Sequence, residues 1–383
     1  MRKKIITIIG ARPQIIKASA LSRAIENEFK NELEEILIHT GQHYDDNMSK
    51  VFFEELGIPK PKFNLSVGSG THGVQTAKMI EGLEQIFIDE KPDAIVVYGD
   101  TNSTIAGSLA AAKIHIPVVH IEAGLRSFFK EMPEEINRIS CDHMSTLLFT
   151  PTKTGLNNLK KEGFAMTNTR KATIDNPAVY HCGDIMYDNS LYFSVLSEQN
   201  STICADLNLE SNKFILCTIH RDTNTDNPKN LESIFLGLLE LIERTKLRLV
   251  LPLHPRTKNK LDENLSDKLL CRLQYSKDIL IIPPVGFLDI ISLQKKAKLI
   301  VTDSGGLQKE AFFFCKPCII LRDQTEWIEI VENGNAKLVG TKTNEIVDGG
   351  LYLLNKNEYS YPSFYGDGNA ALFIAQKIIE NIG

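Results

Sequence analysis

The sequence lacks the features that mark membrane, secreted and nucleic-acid-binding proteins. No apolar run approaches the ~20 residues that a membrane-spanning helix needs, and only a short run, IITII, follows the basic N-terminus. We therefore expect no signal peptide. The formal net charge of -5 over 383 residues argues against nucleic acid or an anionic membrane as the main partner. Binding of an anionic ligand must then depend on a local group of positive charges.

Cysteine and histidine patterns do not indicate a metal either. The seven cysteines include one C-x-x-C pair, Cys315 and Cys318, which has the spacing of a redox or zinc site. No second pair occurs, and we interpret the two as small residues beside a strand. The nine histidines are scattered without H-E-x-x-H spacing, so we expect no bound metal. Reduced thiols fit a cytoplasmic protein.

Length and hydrophobic pattern predict two α/β domains. A chain of 383 residues is too long for one ordinary core. Short β-branched runs alternate with longer helical patterns, which is typical of βαβ units and parallel sheets. The predicted strands are KIITIIG, EEILIHTG, AIVVYGD, PVVHIEAG and LLFTPT, then KFILCTIH, LRLVLPLHP, ILIIPPV, AKLIVTDSG and PCIILRD. We predict doubly wound domains at residues 1–190 and 191–360, and interpret the polar stretch 194–212 as a linker.

The first predicted strand ends in a turn suited to an anion. In GARPQIIKA, Gly10 permits a sharp turn, and Arg12 and Lys17 lie at or near the N-terminus of the following helix. Helix N-termini favour anions, so we expect a phosphate or phosphosugar here. A plain βα turn with solvated cations is the alternative. The turn is not a G-x-G-x-x-G, so we expect no dinucleotide here. We also expect no other cofactor.

A second turn, TDSGGLQKEA, predicts a nucleotide diphosphate site. Ser304, Gly305 and Gly306 follow a strand and allow the backbone to approach a ligand closely. Glu310 lies further into the helix, where it could accept hydrogen bonds from a ribose diol. A tight turn with a serine cap is the alternative. His220, in TIHR at the end of another strand, is expected to be functional rather than structural.

Acidic residues at three other positions predict proton transfer. Asp100 ends a strand, where a helix cap and a catalytic role are equally open. Glu122 ends another strand, while Glu134 and Arg138 share one face of a helix that Pro133 would start. Paired carboxylates near one crevice suit general acid–base catalysis. A surface ion-pair network is the alternative.

Taken in order, these motifs resemble the non-hydrolysing UDP-N-acetylglucosamine 2-epimerase family. They are GARPQIIKA, YGDTNST, HIEAGLRS, MPEEINR, TIHR, TDSGGLQKEA and YGDGNAA, and they cover nearly the whole chain. The resemblance implies a glycosyltransferase-B architecture, in which two Rossmann-like domains face a cleft. It also implies that residues 361–383 form a helix returning to the first domain, and that the enzyme is a homodimer.

The resemblance also implies residue roles and a reaction. The residues implied in catalysis are Lys17, Asp100, Glu122, Glu134 and His220. Those implied in UDP binding are Arg12, Arg138, His220, Phe287, Ser304, Gly305, Gly306 and Glu310. The loop around Phe287 would flank the uracil. The implied reaction eliminates UDP to give a 2-acetamidoglucal, and then re-adds UDP with the configuration at C2 inverted.

A finer resemblance concerns the substrate. The segments ARPQ, HTGQHYDDNMS, GSGTHGVQT, LPLHPRT and TEWIE look most like the branch that acts on UDP-2,3-diacetamido-2,3-dideoxy-glucuronate. Otherwise the substrate would be UDP-N-acetylglucosamine; either product would feed synthesis of a surface polysaccharide such as lipopolysaccharide. A uronate carboxylate needs a cationic partner, for which Arg256 and Arg322 are candidates. A hydrolysing epimerase and a glycosyltransferase of the same fold are the alternative activities.

Overall fold

The chain folds into two compact units. A computed structural model describes residues 2–41, 59–167, 170–253 and 255–383, without the side chains of residues 255 and 256. Unit 1 comprises Met1–Asn189 and Ser363–Gly383, and unit 2 comprises Ser190–Pro362.

Unit 1 is built on a parallel sheet. Its strands in the described residues are β1 Lys3–Ile9, β2 Leu33–His39, β3 Phe63–Asn64, β4 Ala94–Tyr98, β5 Val118–Ile121, β6 Leu147–Thr150 and β7 Ala178–His181. They pair in parallel in the order β3-β2-β1-β4-β5-β6-β7. Its helices are α1 Arg12–Ala24, continued by a π-helix Ile25–Phe29, then α2 His72–Glu90, α3 Asn102–Lys113, α4 Pro133–Met144, α5 Lys153–Lys161, α6 Ile185–Asn200 and α16 Ala370–Asn381. Buried Ile6, Leu83 and Ile95 belong to its main core cluster.

Unit 2 repeats this architecture. Its described strands are β8 Phe214–Thr218, β9 Arg248–Pro252, β10 Ile279–Ile282, β11 Leu299–Thr302, β12 Cys318–Ile320 and β13 Ala336–Leu338. They pair in parallel in the order β10-β9-β8-β11-β12-β13. Its helices are α7 Ile203–Asp206, α8 Asp222–Thr225, α9 Pro228–Thr245, α10 Pro255–Asn264, α11 Asp267–Tyr275, α12 Phe287–Lys296, α13 Gly305–Phe313, α14 Ile328–Glu332 and α15 Thr343–Asn355. The predicted α/β class with two parallel sheets is confirmed.

All ten predicted strands are present, and the strands that sequence patterns missed lie at sheet edges. β3 and β7 are the two edges of the first sheet, and β13 is one edge of the second. They have two, four and three residues. An edge strand is short and only partly covered, so it needs no long β-branched run. Its sequence signal is correspondingly weak.

The polar stretch 194–212 is mostly helical and is not an irregular linker. α6 continues to Asn200, and α7 follows after two residues. The ring of Phe193, just before the stretch, packs edge to face against Phe287, with 5.1 Å between ring centroids. Within the stretch, Ser197 Oγ donates to the carbonyl oxygen of Leu288 at 2.6 Å. Contacts of this kind hold the stretch in unit 2, and the chain passes between the units at Asn189, inside α6.

The C-terminal segment 363–383 belongs to unit 1. The first backbone N–H groups of α16 have no partner within the helix itself. The carboxylate of Asp188 on α6 accepts two of them, from Ala370 at 3.2 Å and from Ala371 at 2.7 Å. This long-range cap joins the last helix of the chain to the end of the first unit.

Both sheets place the predicted motifs at a topological switch point. The strand order reverses between β1 and β4 in unit 1, and between β8 and β11 in unit 2. Ligands of doubly wound sheets bind beyond the carboxyl ends of strands at such a point. Arg12 begins α1 just after β1, and the turns after β4 and β5 carry Asp100 and Glu122. Those after β8 and β11 carry His220 and Ser304.

Candidate functional site

A glutamine holds together the ends of β1 and β4 in unit 1. Gln14 Oε1 accepts the backbone N–H groups of Gly10 at 2.9 Å and Ala11 at 3.2 Å. Its Nε2 donates to the Tyr98 carbonyl at 3.0 Å and to Thr104 Oγ1 at 3.1 Å. No local pattern marks Gln14 for this role, because the two acceptors of its Nε2 group, on Tyr98 and Thr104, are far away along the chain.

Gly10 is required by packing at this turn. A Cβ atom there would lie 2.1 Å from Ser103 Oγ and 2.2 Å from Thr40 Oγ1. These two hydroxyl groups are themselves hydrogen-bonded, at 2.8 Å. The glycine therefore allows the ends of three neighbouring elements to meet.

Asp100 does not cap the helix that follows it. Thr101 is the N-cap of α3, with its side chain accepting the Thr104 N–H. Asp100 Oδ2 instead accepts from Arg138 Nε at 2.9 Å and lies 2.7 Å from Arg138 Nη2. Arg138 Nη1 donates to Glu135 at 2.6 Å. Of the two open roles for Asp100, the cap is thus excluded.

Glu122 and Lys17 form an ion pair at the end of β5. Only 11% of the Glu122 side chain and 14% of the Lys17 side chain are exposed. Glu122 has φ +74, a backbone conformation that is uncommon outside glycine and occurs often at functional sites. A Cβ atom at Gly99 would lie 3.1 Å from Glu122 Oε2 and 3.3 Å from Lys17 Nζ. The pair therefore packs against the backbone just before Asp100.

Four residues form one electrostatic group, which we call the strand-end group: Lys17, Asp100, Glu122 and Arg138. Burial raises the pKa of Asp100 above its ordinary value. The positive charges of Arg138 and Lys17 oppose this rise, while the negative charge of Glu122 adds to it. Two carboxylates and two cations thus share one partly buried site at the carboxyl end of the sheet.

Two adjacent glutamates at the start of α4 have different environments. Glu134 is exposed, and no hydrogen bond or ion pair to it is seen among the described residues. Glu135 is buried and accepts the N–H groups of Ser127 and Phe128, each at 2.9 Å. Burial would raise the pKa of Glu135, but these bonds and the one from Arg138 outweigh it and lower the pKa. Sequence reasoning missed this supporting role of Glu135.

Arg12 lies at the first position of α1 with an exposed side chain, as its motif predicted. The structure thus pairs Lys17 with Glu122 and Arg138 with Asp100, and it brings the two pairs close enough for Lys17 and Glu122 to influence the pKa of Asp100. Arg12 and Glu134 lie at the N-termini of α1 and α4.

In unit 2, Asp303 fixes the turn that carries His220. The Asp303 carboxylate accepts the backbone N–H groups of His220 at 3.1 Å and Arg221 at 3.0 Å. It also lies 3.1 Å from His220 Nδ1. Burial would raise the pKa of Asp303, but His220 and these N–H groups lower it. The His220 side chain remains 53% exposed, so the ring is held and accessible.

The glycines after β11 have no packing reason to be glycine. A Cβ atom on Gly305 would meet only Arg322 Nη1 at 3.8 Å and Glu326 Oε2 at 4.0 Å. One on Gly306 would meet only Ser304 Oγ, at 3.9 Å. Ser304 caps α13 through the N–H of Leu307, at 3.4 Å. The cap predicted as the alternative is therefore present, and space for a ligand is left beside it.

The remaining predicted residues of unit 2 are placed differently. Glu310 accepts from Gln294 Nε2 at 2.8 Å. Phe287 begins α12 and is buried, so its ring belongs to the core. Arg322 forms a two-point ion pair with Glu326, at 3.0 and 2.9 Å. The Arg256 side chain lies outside the described residues, as does most of the segment HTGQHYDDNMS.

The described ranges of the chain contain neither a metal cluster nor a membrane span. There, no cluster of three His, Cys, Asp or Glu side chains could hold a metal ion. Within the same ranges, no helix has the length and hydropathy of a membrane span. Cys315 is exposed and Cys318 is buried at the start of β12, and all seven cysteines are free thiols.

Comparison with known proteins gives a consistent result. A family model described as UDP-N-acetylglucosamine 2-epimerase matches residues 25–380. The chain is 48% identical to the UDP-2,3-diacetamido-2,3-dideoxy-D-glucuronate 2-epimerase of Pseudomonas aeruginosa, covering 98% of this chain and 99% of that protein. It is 44% identical to the UDP-N-acetylglucosamine 2-epimerase of Methanocaldococcus jannaschii, covering 96% of each. The crystal structure of the Methanocaldococcus jannaschii enzyme with UDP-GlcNAc and UDP has a TM-score of 0.84, with 42% identity over 98% of this chain and 99% of that chain.

Two doubly wound units with polar groups at their switch points define a nucleotide-binding α/β enzyme. Given the family match and these identities, the chain belongs to the UDP-N-acetylglucosamine 2-epimerase family. It is an isomerase, a UDP-sugar 2-epimerase, as its motifs predicted.

Proposed function

We propose that the enzyme inverts C2 of UDP-2,3-diacetamido-2,3-dideoxy-glucuronate without hydrolysing it. The 48% identity with the Pseudomonas aeruginosa enzyme and the branch-like segments of the sequence support this substrate. The 44% identity with an epimerase of UDP-N-acetylglucosamine makes that sugar nucleotide the second candidate.

The proposed reaction proceeds by elimination and re-addition. The C2 hydrogen is not adjacent to a carbonyl group, so an ordinary carboxylate would not remove it directly. Breaking the anomeric C–O bond sends the electron pair to UDP and makes C1 cation-like, which acidifies the C2 hydrogen. A carboxylate takes that proton and the C1–C2 double bond of a 2-acetamidoglucal forms. Protonation of C2 on the other face and re-addition of the UDP oxygen to C1 complete the inversion.

The strand-end group is the observation that carries this proposal. Its two carboxylates, Asp100 and Glu122, are each paired with a cation at the carboxyl end of neighbouring strands. Carboxylates can stabilise a cation-like sugar and transfer its proton. We assign proton transfer to Asp100, Glu122 and Glu134, without dividing the acid and base roles among them. Lys17 would hold Glu122 in place through their ion pair.

We assign the nucleotide mainly to unit 2. The N-terminus of α13, with Ser304, Gly305 and Gly306, would hold the diphosphate as it leaves, because free N–H groups and the helix dipole stabilise developing negative charge. Glu310 would accept from the ribose. Arg12, Arg138 and His220 would contribute positive charge or hydrogen bonds to the diphosphate. With its ring buried, Phe287 would contact the uracil through its backbone.

Proton NMR in D2O with each candidate sugar nucleotide tests this function. We expect deuterium at C2 and an intact UDP-sugar of inverted configuration, formed faster from the diacetamido-uronate. Release of free sugar and UDP would establish the hydrolysing alternative. Absence of exchange with either compound would contradict the proposal and favour a glycosyltransferase.

The choice of uronate has a separate test in two arginines. We propose Arg256 and Arg322 as partners of the C6 carboxylate, because a buried carboxylate needs a positive neighbour. Arg256→Gln and Arg322→Gln, measured separately, should each lower kcat/KM for the uronate far more than for UDP-N-acetylglucosamine. Equal losses on both substrates would remove that residue from the specificity site.

Family resemblance further supports a homodimer in the cytoplasm that serves surface polysaccharide synthesis, including lipopolysaccharide. Sedimentation equilibrium would give twice the chain mass for the homodimer. Cell fractionation would test the location, and loss of the surface polysaccharide on gene deletion would test the pathway.

A further inference from the structure

A fully buried histidine lies next to the strand-end group. His120 is on β5 with no exposed surface. Its Nδ1 is 2.7 Å from Asp142 Oδ1 on α4, and its Nε2 is 2.8 Å from the carbonyl oxygen of Gly99. Gly99 is the residue immediately before Asp100. No local pattern marks His120 for a role, because it lies inside an apolar strand.

Both partners of His120 can only accept hydrogen bonds. Asp142 is ionised, since its other oxygen lies 2.8 Å from Arg126 Nη2 and accepts the Gly124 N–H at 3.1 Å. The Gly99 carbonyl has no proton to give. Each ring nitrogen of His120 must therefore carry a proton, which makes the ring an imidazolium.

The electrostatic surroundings agree with this protonation. Burial would lower the pKa of His120, but Cys141 and the Asp142 carboxylate raise it well above its ordinary value. Burial would raise the pKa of Asp142, but His120 and Arg126 lower it. A buried charge is tolerated when it is paired and hydrogen-bonded on all sides, as this one is.

The charged ring fixes the turn that bears the reactive carboxylates. Gly99 has φ +62, and its N–H donates to the Ile121 carbonyl at 3.0 Å. With its own carbonyl bound to His120, both polar groups of Gly99 are held by β5. The Gly99 backbone in turn lies against Glu122 Oε2 and Lys17 Nζ. Hydrogen bonds from a cation are about twice as strong as neutral ones.

We propose that His120 is a positioning residue, which as a permanent imidazolium holds the Gly99 turn and so keeps Asp100 and Glu122 in the geometry that proton transfer requires. This inference rests on the proposed function. Displacement of a reacting group by about 1 Å can lower a rate by about a hundredfold. Losing the bond to Gly99 should therefore reduce turnover more than substrate affinity.

Two substitutions separate the two contacts of the ring. His120→Gln keeps a donor near the Nε2 position, facing Gly99, and loses the bond to Asp142. His120→Asn keeps a donor near the Nδ1 position and loses the bond to Gly99. Leu83→Ala, in the apolar core of unit 1, is a control for general destabilisation. All variants would be compared with wild type by Tm and by kcat and KM for C2 deuterium exchange.

We expect kcat of His120→Asn to fall by about ten- to a hundredfold, with KM changed by less than about threefold. His120→Gln should retain a clearly higher kcat than His120→Asn, and the two variants should have similar Tm values. Equal losses in the two variants, or a loss no larger than that of Leu83→Ala, would overturn the inference.

Nitrogen-15 NMR of histidine-labelled wild type at pH 8 tests the charge without relying on activity. Both ring nitrogens of His120, identified by their absence in His120→Gln, should have the shifts of protonated nitrogens. An unprotonated nitrogen on His120 would overturn the inference, whatever the activity of the variants. Failure of wild type to exchange deuterium would instead refute the proposed function, and the NMR result would stand by itself.

Discussion

At the scale of single residues, neighbouring glutamates on α4 differ in what they can do. Glu134 is exposed at the helix N-terminus, whereas Glu135 is buried and bonded to Arg138 and to two backbone N–H groups. The first is available to a substrate, and the second supports the loop before the helix. The sequence shows only two acids in the first turn of a helix.

We expect Glu134→Gln to lower kcat by about 10²–10⁴-fold, the usual contribution of a general acid or base, without lowering Tm. Glu131→Gln, an exposed carboxylate in the preceding loop, is the matched control and should keep full activity.

Glu135→Gln should instead lower the free energy of unfolding by about 1–3 kcal/mol, because it leaves buried donors without their charged acceptor. Steady-state kinetics and urea unfolding would measure these effects, and an active Glu134→Gln enzyme would exclude Glu134 from catalysis.

The pH profile reports the surroundings of Asp100. Burial raises its pKa, and the positive charge of Arg138 restrains that rise. Removing the charge in Arg138→Gln should raise the pKa further. The limb of the kcat/KM profile that depends on Asp100 would then move to higher pH, whether its acid or its base form is required. Arg272→Gln, at the surface of unit 2, should leave the profile unchanged; a shift to lower pH in Arg138→Gln would contradict the assignment.

At the scale of elements, the β11–turn–α13 segment has room that its own packing does not use. A methyl group on Gly305 would make only ordinary contacts, at 3.8 and 4.0 Å, so Gly305→Ala should keep the wild-type Tm. It would still obstruct a diphosphate at the helix N-terminus. We expect UDP affinity to fall by at least about tenfold, or about 1.4 kcal/mol, by isothermal titration calorimetry. Gly73→Ala, where a Cβ atom meets nothing within 4 Å, is the control; unchanged UDP affinity in Gly305→Ala would remove this turn from the site.

Asp188, whose carboxylate caps α16, should make the free energy of unfolding depend on pH. Burial raises the pKa of Asp188 to about 6, although the bonds from Ala370 and Ala371 oppose the rise. The folded state therefore binds this proton more tightly than the unfolded chain does. Stability from Asp188 is then lost as the pH rises from its ordinary pKa of 3.8 to about 6, and it stays constant above that.

Asp188→Asn lacks this titration. Relative to the variant, wild type should lose unfolding free energy between about pH 4 and pH 6, as measured by urea unfolding at several pH values. Asp348→Asn, an exposed position on α15, should show no such window. Parallel pH curves for wild type and Asp188→Asn would contradict the raised pKa.

At the scale of the whole molecule, a bound nucleotide should stabilise the fold by mass action, because it binds the folded chain and not the unfolded one. UDP at a hundredfold excess over its Kd should raise the free energy of unfolding by about 2.7 kcal/mol. Calorimetric scans with and without UDP would measure the shift. Gly305→Ala at the same UDP concentration should shift less, and an equal shift would place the nucleotide elsewhere.

Much of the architecture follows directly from the sequence. Central strands such as β1, β4, β8 and β11 are buried on both faces, so their β-branched runs identify them without any tertiary information. The polar residues that follow these runs sit at sheet ends because parallel strands share one carboxyl edge. That regularity predicted the turns bearing Asp100, Glu122, His220 and Ser304, and the ordered motifs predicted the family.

Only the tertiary structure decided what depends on partners distant along the chain. It made Thr101 rather than Asp100 the helix cap, and it gave Gly10 a packing reason. It separated Glu134 from Glu135, whose local sequence signals are the same. It placed a hydrogen-bond acceptor at each ring nitrogen of His120, from Asp142 and from Gly99, which lie in other parts of the chain. Local sequence fixes backbone preference and hydrophobic period, whereas burial, charge pairing and close approach depend on which segments meet.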